Sequence, residues 1–342
     1  MHRILAIAAL AVVILSAAAT PTAAQNAESF YRGKQIRLLV GSEAGNDYDN
    51  WARFVAHTMA AHIPGKPSIV VENMPGGGTI VVANYLYNIA AKDGTVLATF
   101  SRNLPSAAVM RRPNIKFDPR RFNWVGSPER LNRVCAANTD ARVQKAADLF
   151  STELLVGGAG AGAVPSFLPV LLNNLLGTKF KLIEGYSGSG AIFLAMDRHE
   201  VDGICITLGV FTGPRANLLQ EGKVRLLFNT ESKRLAKFPD VPTIQEFIKT
   251  DEQRQIITFI NASLELGRPF AAPPGVPPER VAVLRAAFAA TVQDPAFLAE
   301  AAKMKYEVTY TSGEEQLALI EKLYATPPDM LAKAAALMPA EN

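Results

Sequence analysis

Histidine and cysteine are scarce in this chain of 342 residues, which has four histidines and two cysteines. Zinc and redox sites are usually built from clusters of these residues, so few such sites can be assembled. His199, Glu200 and Asp202 are close in sequence, but solvated surface side chains are the simpler interpretation. We therefore expect no metal site and no cofactor.

Long apolar runs are also rare, and the clearest one, residues 4–15, follows a short basic start. It is too short to cross a bilayer comfortably, because a membrane-spanning helix needs about 20 apolar residues. Small residues follow at positions 22–24. This pattern predicts a signal peptide over residues 1–24, cleaved near Ala24, and hence a periplasmic protein.

An excess of one charge is absent, since 35 Lys and Arg face 31 Asp and Glu, a formal net charge of +4. The basic residues are scattered and are not interleaved with aromatic residues, so nucleic acid is not an expected partner. In an oxidising compartment Cys135 and Cys205 could form one disulfide, and two buried thiols are the alternative. The strands that carry them are predicted to lie side by side, and both alternatives stay open.

Strand, loop and helix patterns alternate along most of the chain, which is typical of parallel sheets with helices on both faces. Strands are predicted at residues 36–40, 68–71, 95–100, 133–137, 154–156, 180–183, 203–207 and 224–229, with a weak one at 306–309. Helices are predicted at residues 50–61, 80–91, 146–150, 165–176, 190–196, 281–292, 296–303 and 314–324.

The length favours two lobes, because a single hydrophobic core rarely serves so many residues. Residues 25–128 and 262–342 are predicted to form lobe 1, and residues 129–261 to form lobe 2. The chain would cross between them twice, in extended segments near residues 122–133 and 256–272. Two lobes joined in this way form a hinge.

Three glycine-rich loops, at residues 41–49, 157–163 and 185–190, each connect a predicted strand to the following helix. Ligands usually bind at this edge of an open α/β sheet. Helix N-termini there present unpaired N–H groups, and glycine lets a ligand oxygen approach the backbone. The three loops together favour an anionic ligand, although a tight turn is an equally good explanation for any one of them.

Residues 158–163 also fit the glycine pattern of dinucleotide-binding loops, and Glu184 ends the next strand, where an acidic residue would bind a ribose. A nucleotide-dependent oxidoreductase is therefore the main alternative function. An exported protein, however, has no ready supply of nicotinamide cofactor. Nucleophilic catalysis is not expected either, because residues 185–189 lack the last glycine of a nucleophile elbow. We expect no catalytic residues.

Several motifs together resemble the solute receptors of tripartite tricarboxylate transporters, the Bug-type periplasmic binding proteins. The motifs are IRLLV at residues 36–40 with Gly45, Asp49 and Arg53, PGKP at 64–67, VVENMPGGG at 70–78, DGT at 93–95, GYSGS at 185–189 with Val201 and Asp202, and FPDVPTIQE at 238–246. The resemblance extends through nearly all of the chain after the signal peptide.

This resemblance implies a two-lobed periplasmic-binding-protein fold of type II-like topology, with two parallel-core sheets flanked by helices and joined by two crossover strands. It implies a small di- or tricarboxylate or related organic acid as ligand, held by main-chain N–H groups and water rather than by charged side chains. The permease subunits of a tripartite transporter are the implied membrane partner, and a monomer is expected. The ligand-binding residues carried over by position are Gly45, Asn46, Asp49, Ser101, Gly158, Ala159, Gly160, Ala161, Gly162, Ala163, Tyr186, Ser187, Gly188, Ser189 and Asp202.

The first loop departs from the family pattern, because Gly45 is followed by Asn46 and Asp47 where a glycine pair is usual, and Glu43 precedes it. Two unit charges about 6 Å apart repel by roughly 2 to 3 kcal/mol at an effective dielectric of about 20. A dianion is disfavoured if either carboxylate faces the ligand, and a solute with an amino or amide group would then fit better. Asp49 could contact the ligand or cap the helix that begins at Asn50.

A third alternative function uses the same ligand-binding cleft. In it, the closed form is recognised by a membrane signalling receptor instead of a permease.

Overall fold

The computed structural model describes residues 23–160 and 163–337. The predicted signal peptide lies outside these residues except for Ala23 and Ala24, and so do Ala161 and Gly162. The described chain forms two lobes, each built on one sheet flanked by helices. The predicted two-lobed α/β fold is confirmed, whereas the residue boundaries of the lobes stay a prediction.

Two mixed sheets form the centres of the lobes. The strands in chain order are β1 (Gln35–Val40), β2 (Ser68–Asn73), β3 (Val96–Thr99), β4 (Asn123–Ser127), β5 (Arg133–Asn138), β6 (Leu154–Gly157), β7 (Phe180–Ile183), β8 (Gly203–Thr207), β9 (Val224–Asn229), β10 (Phe270–Ala272) and β11 (Thr311–Ser312). The strand order is β11-β4-β10-β3-β1-β2 in lobe 1 and β7-β6-β8-β5-β9 in lobe 2.

Parallel strands occupy one half of each sheet. In lobe 1, β1 pairs in parallel with β2 and β3, and in lobe 2, β6 pairs in parallel with β7 and β8. The remaining strands are antiparallel to their neighbours. Because parallel strands end at the same edge of a sheet, the loops after β1, β2 and β3 share one edge of lobe 1. Those after β6, β7 and β8 share one edge of lobe 2.

Helices cover the faces of both sheets. They are α1 (Ala23–Tyr31), α2 (Asp47–His62), α3 (Ile80–Asn88), α4 (Leu104–Val109), α5 (Val164–Leu176), α6 (Ser189–Asp197), α7 (Gly209–Thr212), α8 (Ala216–Gln220), α9 (Asp251–Leu266), α10 (Pro278–Gln293), α11 (Pro295–Lys303), α12 (Gly313–Tyr324) and α13 (Pro328–Leu337). In α2, Trp51, Val55 and Met59 recur four residues apart, so they share one face and are buried in the lobe 1 core. The predicted helix at residues 146–150 is a short 3-10 helix.

The two crossings between the lobes differ in kind. The first runs from β4 through residues 128–132 into β5, close to the predicted range. The second was predicted to be extended over residues 256–272 and is instead helix α9 followed by the short strand β10. Thr250 caps this helix, and Ile256, Phe259 and Ile260 recur at helical spacing and are buried. Burial of that apolar face favours the helix over an extended chain.

The C-terminal part differs from the prediction in two places. No strand forms at residues 306–309, and β11 begins only at Thr311. Tyr306 stacks on Trp51 with ring centroids 4.3 Å apart, so side-chain packing rather than strand pairing holds this segment on lobe 1. The last helix, α13, packs on α9, and its Ala334 is buried in the lobe 2 core, although the whole tail was predicted to pack on lobe 1.

Cys135 and Cys205 form a disulfide between β5 and β8. The two strands are antiparallel neighbours, as predicted, and the two cysteines lie directly opposite each other in their register. Both are fully buried in the lobe 2 core. Of the two alternatives for these cysteines, the disulfide is therefore the one that the structure contains.

No single helix in the described part of the chain is long and apolar enough to cross a membrane. The pair α10 and α11 meets the length and composition criteria only when taken together, and it is bent by 57° at the junction. Leu284, Phe288 and Phe297 of this pair are buried in the lobe 1 core, which accounts for its apolar character.

Candidate functional site

A cavity of about 870 Å³ lies between the two lobes. Elements of lobe 1, elements of lobe 2 and both crossings contribute to its walls. The lining residues are Asp47, Trp51, Glu129, Arg130, Leu131, Asn132, Thr207, Leu208, Gly209, Val210, Thr212, Gly213, Pro214, Lys237, Arg268, Leu298, Ala301, Ala302, Lys305, Tyr306, Glu307 and Val308. A space of this size is within the range of small-molecule sites.

Of the three predicted glycine-rich loops, only the one at residues 41–49 reaches the cavity wall, through Asp47, and none of the predicted ligand-binding residues in the described part of the chain lines it. Asp47, which directly follows the predicted pair Gly45 and Asn46, lines it from lobe 1. Thr207 lines it from lobe 2 at the carboxyl end of β8, the same sheet edge from which the loops after β6 and β7 emerge. The carboxyl edges of the two sheets therefore meet at this cavity, at Asp47 in lobe 1 and at Thr207 in lobe 2.

In the first loop, the predicted main-chain donors are bonded within the protein. The N–H of Gly45 donates to Asp49 Oδ2 at 2.8 Å, and the N–H of Asn46 donates to Glu43 O at 3.2 Å. Asn46 is the N-cap of α2, because its side-chain oxygen accepts a hydrogen bond from Tyr48 N at 3.0 Å. The alternative role of Asp49 as an N-cap is therefore wrong, and the helix begins three residues before the predicted start.

Asp49 has a structural environment. Its carboxylate is buried and accepts hydrogen bonds from Gly45 N, from Arg53 Nε at 2.9 Å and from Asn73 Nδ2 at 2.8 Å. Burial alone would raise the pKa of this carboxyl, but the bonds from Arg53, Gly45 and Asn73 outweigh burial and hold the pKa below its usual value. The side chain ties the first loop to α2 and β2, so its predicted contact with a ligand stays a prediction.

In lobe 2, the loops after β6 and β7 are joined to each other. Gly158 N donates to Ile183 O at 2.8 Å, and Tyr186 N donates to Gly158 O at 3.2 Å. Gly158 is buried, whereas Gly160 and Ser187 are exposed. Of the predicted residues in this lobe, these contacts join Gly158 to Tyr186, and Ala163 N donates to Gly160 O at 2.9 Å within the loop after β6. Ser187, Gly188 and Ser189 follow Tyr186 in the loop after β7.

The carboxylate of Glu184 occupies part of the loop after β6. Its Oε2 accepts hydrogen bonds from Gly160 N at 3.1 Å and from Ser166 Oγ at 3.0 Å, and Ser166 Oγ in turn accepts from Ala159 N at 2.9 Å. A phosphate placed at these amides would meet the Glu184 carboxylate. This arrangement weighs against the dinucleotide alternative, in which Glu184 would point away to a ribose.

The last two predicted residues lie at different depths. Ser101 follows β3 at the cleft edge of lobe 1, where its N–H donates to Thr79 Oγ1 at 2.9 Å and its Oγ accepts from Asn103 N at 3.2 Å. Asp202 precedes β8, and its main chain bonds to Leu155 O and to Asn138 N. Since Leu155 is in the middle of β6, Asp202 lies back from the edge where the loops emerge.

A charged cluster that the sequence reasoning did not identify lies in the cavity wall. Arg268 of the second crossing donates to Asp47 of lobe 1 and, at 3.0 Å, to Glu129 of the first crossing. Its guanidinium lies over the ring of Tyr48, 4.8 Å from the centroid. Burial raises the pKa of Glu129, while the charge of Arg268 opposes that rise. We call Asp47, Glu129 and Arg268 the paired cluster.

The paired cluster changes the expectation about Asp47. Its negative charge is compensated by Arg268, and Glu43 is exposed to solvent, so neither carboxylate is an uncompensated charge facing the ligand. In the sequence, the one feature that could have indicated a role for Arg268 is its charge inside the apolar second crossing. That signal does not reveal its partners, because Asp47 is 221 residues away in the chain.

A second contact spans the cavity from lobe to lobe. Glu307 of the C-terminal segment accepts hydrogen bonds from Lys237 Nζ at 2.9 Å and from Thr212 Oγ1 at 3.1 Å, both in lobe 2. Lys237 is mostly exposed, so this ion pair adds little to stability, but it fixes the distance between the lobes at one side of the cavity.

In the described ranges, no group of three His, Cys, Asp or Glu side chains is arranged to hold a metal ion. His199 has one acidic neighbour, Asp140, at 3.7 Å, and both side chains are mostly exposed.

Known proteins with similar sequences identify the family. A family model described as "Tripartite tricarboxylate transporter family receptor" matches residues 51–333. The chain belongs to this receptor family. A protein from Agrobacterium vitis, described as a UPF0065 protein in the TAR-I ttuE-ttuC' intergenic region, is 30% identical to the receptor over 243 residues, which cover 68% of this chain and 67% of the relative. The family resemblance stated from the motifs is thus confirmed.

Solved structures agree with the fold of the receptor. A TctC solute binding protein from Polaromonas has a TM-score of 0.67 at 22% identity, covering 89% of this chain and 99% of that one. Rpa4515 of Rhodopseudomonas palustris, solved with adipate, has a TM-score of 0.55 at 22% identity, with 90% and 98% covered. MatC of the same organism, solved with bound malate, has a TM-score of 0.51 at 23% identity, with 87% and 99% covered.

Proposed function

We propose that this receptor captures a small carboxylate between its lobes in the periplasm and delivers it to the permease subunits of a tripartite tricarboxylate transporter. The observation that carries the proposal is the cavity whose wall combines Asp47 of lobe 1, residues 207–210 and 212–214 of lobe 2 and both crossings. A ligand there touches both lobes only when they are closed, so binding favours the closed form. The receptor works as a monomer with lobes 25–128 plus 262–342 and 129–261, and it catalyses no reaction.

Dicarboxylates are the ligand class that we favour. Malate and adipate, bound in the two Rhodopseudomonas palustris proteins, are both dicarboxylates. The main objection to a dianion was the added carboxylates of Glu43 and Asp47. Because Asp47 is paired with Arg268 and Glu43 faces solvent, that objection loses its force.

The predicted loops form the rim around the ligand. Ser101 and Ser187 are at least partly exposed at the two facing edges, and their hydroxyl groups are suitable donors to a carboxylate. Gly45, Asn46 and Gly160 already donate their N–H groups within the protein. In a complex, these amides contribute only if the ligand displaces Asp49, Glu43 or Glu184.

A thermal-shift screen of the mature chain tests this function. The panel contains mono-, di- and tricarboxylates, amino acids, aromatic acids and a nicotinamide dinucleotide. A ligand that binds only the folded protein stabilises it by about 2.7 kcal/mol at 100 times its dissociation constant. We expect a raised midpoint with at least one carboxylate. A shift with the dinucleotide alone would support the oxidoreductase instead.

A cavity-filling variant locates the site. Gly209 lines the cavity, and a Cβ added there meets no atom within 4 Å, so the fold accommodates a side chain at this position. Gly209→Trp is expected to abolish the carboxylate-induced shift by occupying the space of the ligand, while Gly209→Ala, the matched control, keeps it. A full shift in Gly209→Trp would show that the solute binds elsewhere.

A further inference from the structure

Arg133 is a partly buried arginine without a counter-charge in the described part of the chain. It begins β5, and its Nε atom is buried without a hydrogen-bond partner. The ring of Phe167, in the first turn of α5, lies 5.7 Å from its guanidinium carbon. Within residues 23–160 and 163–337, no carboxylate forms an ion pair with this guanidinium. A buried charge in this state is unfavourable unless something outside the chain compensates it.

A second arginine, from the opposite lobe, increases the imbalance. Arg102 follows β3 in lobe 1, where its N–H donates to Tyr48 Oη at 3.1 Å. Burial, together with the positive charge of Arg102, lowers the pKa of Arg133 to about 10, so the two guanidinium groups are close enough to repel each other. The charge of Arg102 also acts on the carboxyl group of Glu129, whose pKa it lowers. That carboxylate, however, is already bonded to Arg268.

The position of Arg133 in the sheet directs it to the cleft. In the register of β5 and β8, Arg133 is opposite Thr207, which lines the cavity, and the preceding residue, Asn132, also lines it. Arg102 and Arg133 both keep part of their surface exposed. The two positive charges therefore lie at the facing edges of the two lobes, beside the cavity.

Two anion-binding groups of the loop after β6 are already bonded within the protein. The amide of Gly160 and the hydroxyl of Ser166 are both bonded to the carboxylate of Glu184. A solute carboxylate approaching that loop has to displace Glu184, whereas one approaching Arg133 displaces no side chain of the protein. The buried Nε of Arg133 lacks an acceptor that such a carboxylate would supply.

We propose that Arg102 and Arg133 together bind the carboxylate groups of the solute between the lobes, and that the receptor consequently prefers dicarboxylates to monocarboxylates. This inference rests on the proposed function and specifies the ligand of that cleft. A guanidinium presents several N–H donors in the geometry that a carboxylate accepts. The bound solute satisfies Arg133, removes its repulsion with Arg102 and joins lobe 1 to lobe 2. A dianion compensates both positive charges, and a monoanion compensates only one. We call the two residues the arginine clamp.

The clamp differs from what the family resemblance implied, since that resemblance places main-chain N–H groups and water, not charged side chains, around the ligand. It also makes a prediction that a purely structural arginine does not. Removing Arg133 relieves an unfavourable buried charge, so the unliganded protein keeps or gains stability while ligand binding weakens.

Calorimetric titration of the mature receptor tests the clamp. The ligands are succinate and adipate, with butyrate as the monocarboxylate matched to succinate. The variants are Arg133→Met and Arg102→Gln. The control is Arg225→Gln. Arg225 lies in β9, opposite Ala137 at the other end of β5 from Arg133, and donates to the carbonyls of Thr139 and Gln144. We expect each clamp variant to lower the affinity for the bound dicarboxylate by on the order of tenfold to a hundredfold, and the control to leave it unchanged.

The outcomes separate the clamp from the proposed function. If wild type binds none of the carboxylates, both proposals fail. If wild type binds a dicarboxylate and both clamp variants bind it equally tightly, only the clamp fails. A wild type that binds butyrate as tightly as succinate also contradicts the clamp. The melting midpoint of each unliganded variant shows whether it is folded. If Arg133→Met does not fold, Arg102→Gln, which lies in a partly exposed loop, still tests the clamp.

Discussion

The arginines around the cleft have two opposite environments. In the paired cluster, Arg268 is bonded to two carboxylates and lies over the Tyr48 ring, so its charge is compensated within the chain. In the arginine clamp, Arg133 faces Phe167 and Arg102 and has no carboxylate partner in the described residues. A compensated charge fixes the position of the segments that supply its partners. An uncompensated one is left for a ligand.

Substitutions of Arg268 and Arg133 are expected to differ most in their effect on the free energy of unfolding. Arg268→Met leaves Glu129, whose side chain is mostly buried, without its cation, and losing one partner of a buried pair costs about 3 to 5 kcal/mol. We expect urea unfolding to report a loss of this order for Arg268→Met and no loss for Arg133→Met. Arg32→Met, at an exposed ion pair, is the surface control and should change little. Equal losses at Arg268 and Arg133 would remove the distinction between the two sites.

The disulfide tests how far the position of Arg133 depends on the scaffold beneath it. Cys135 and Cys205 close a loop across 70 residues and hold together the two strands that carry Arg133 and Thr207. In the chain-entropy model, a cross-link of this span stabilises the fold by about 4 kcal/mol. The double variant Cys135→Ala, Cys205→Ala should therefore unfold at lower urea concentration, yet keep its preference for dicarboxylates. Thiol titration of unreduced, denatured wild type should detect no free thiol.

Glu231, a buried carboxyl group near the crossings, has an environment that differs from those of both arginine sites. Burial, together with the negative charge of Glu265, raises the pKa of Glu231 to about 7, although Arg130 opposes the rise. Because the folded pKa is above the unfolded value of about 4.3, the stabilisation is complete below pH 4 and is lost as pH rises through 7. Glu231→Gln should be more stable than wild type at pH 8 by up to about 3 kcal/mol.

Urea unfolding of wild type and Glu231→Gln between pH 4.5 and 8 checks this, with Glu279→Gln on α10 as an exposed control. A stability difference that does not change with pH would contradict the raised pKa.

The smallest effect is expected at the first loop, where the carboxylate of Asp49 is compensated by hydrogen bonds. Its pKa is lowered, so the stabilisation is present above the unfolded value of about 3.9 and is lost as pH falls through the folded value. Asp49→Asn should be less stable than wild type by about 1 to 3 kcal/mol at pH 7. The gap should narrow below pH 4 in acid unfolding curves. A gap of constant size would show that the Asp49 charge does not contribute.

Most strands and helices of the parallel halves were predictable, because each depends on a local pattern. The strands Phe180–Ile183, Gly203–Thr207 and Val224–Asn229 form over the predicted residues, where short apolar runs end at glycine or polar turns. The second crossing and the segment at 306–309 were not predicted correctly. There, the burial of one face of α9 and the stacking of Tyr306 on Trp51 decide the conformation, and both depend on distant parts of the chain.

The candidate site likewise has one part that could be predicted from the sequence and one part that could not. The loops at the strand ends could be located from glycine positions, since a parallel sheet brings its carboxyl ends to one edge. The bonds of Glu184 to Gly160 and of Asp47 to Arg268 could not be predicted, because a contact between residues far apart leaves no pattern in either segment.

By itself, the sequence determined the alternation of strands and helices, the family and the sheet edges that carry the glycine-rich loops, because apolar spacing and glycine act within a few residues. Only the tertiary structure decided which charges are compensated. Asp47 finds a cation in the second crossing, and Arg133 finds no anion among the described residues. The electrostatic state of a side chain depends on what surrounds it in space, and those neighbours come from both lobes and both crossings.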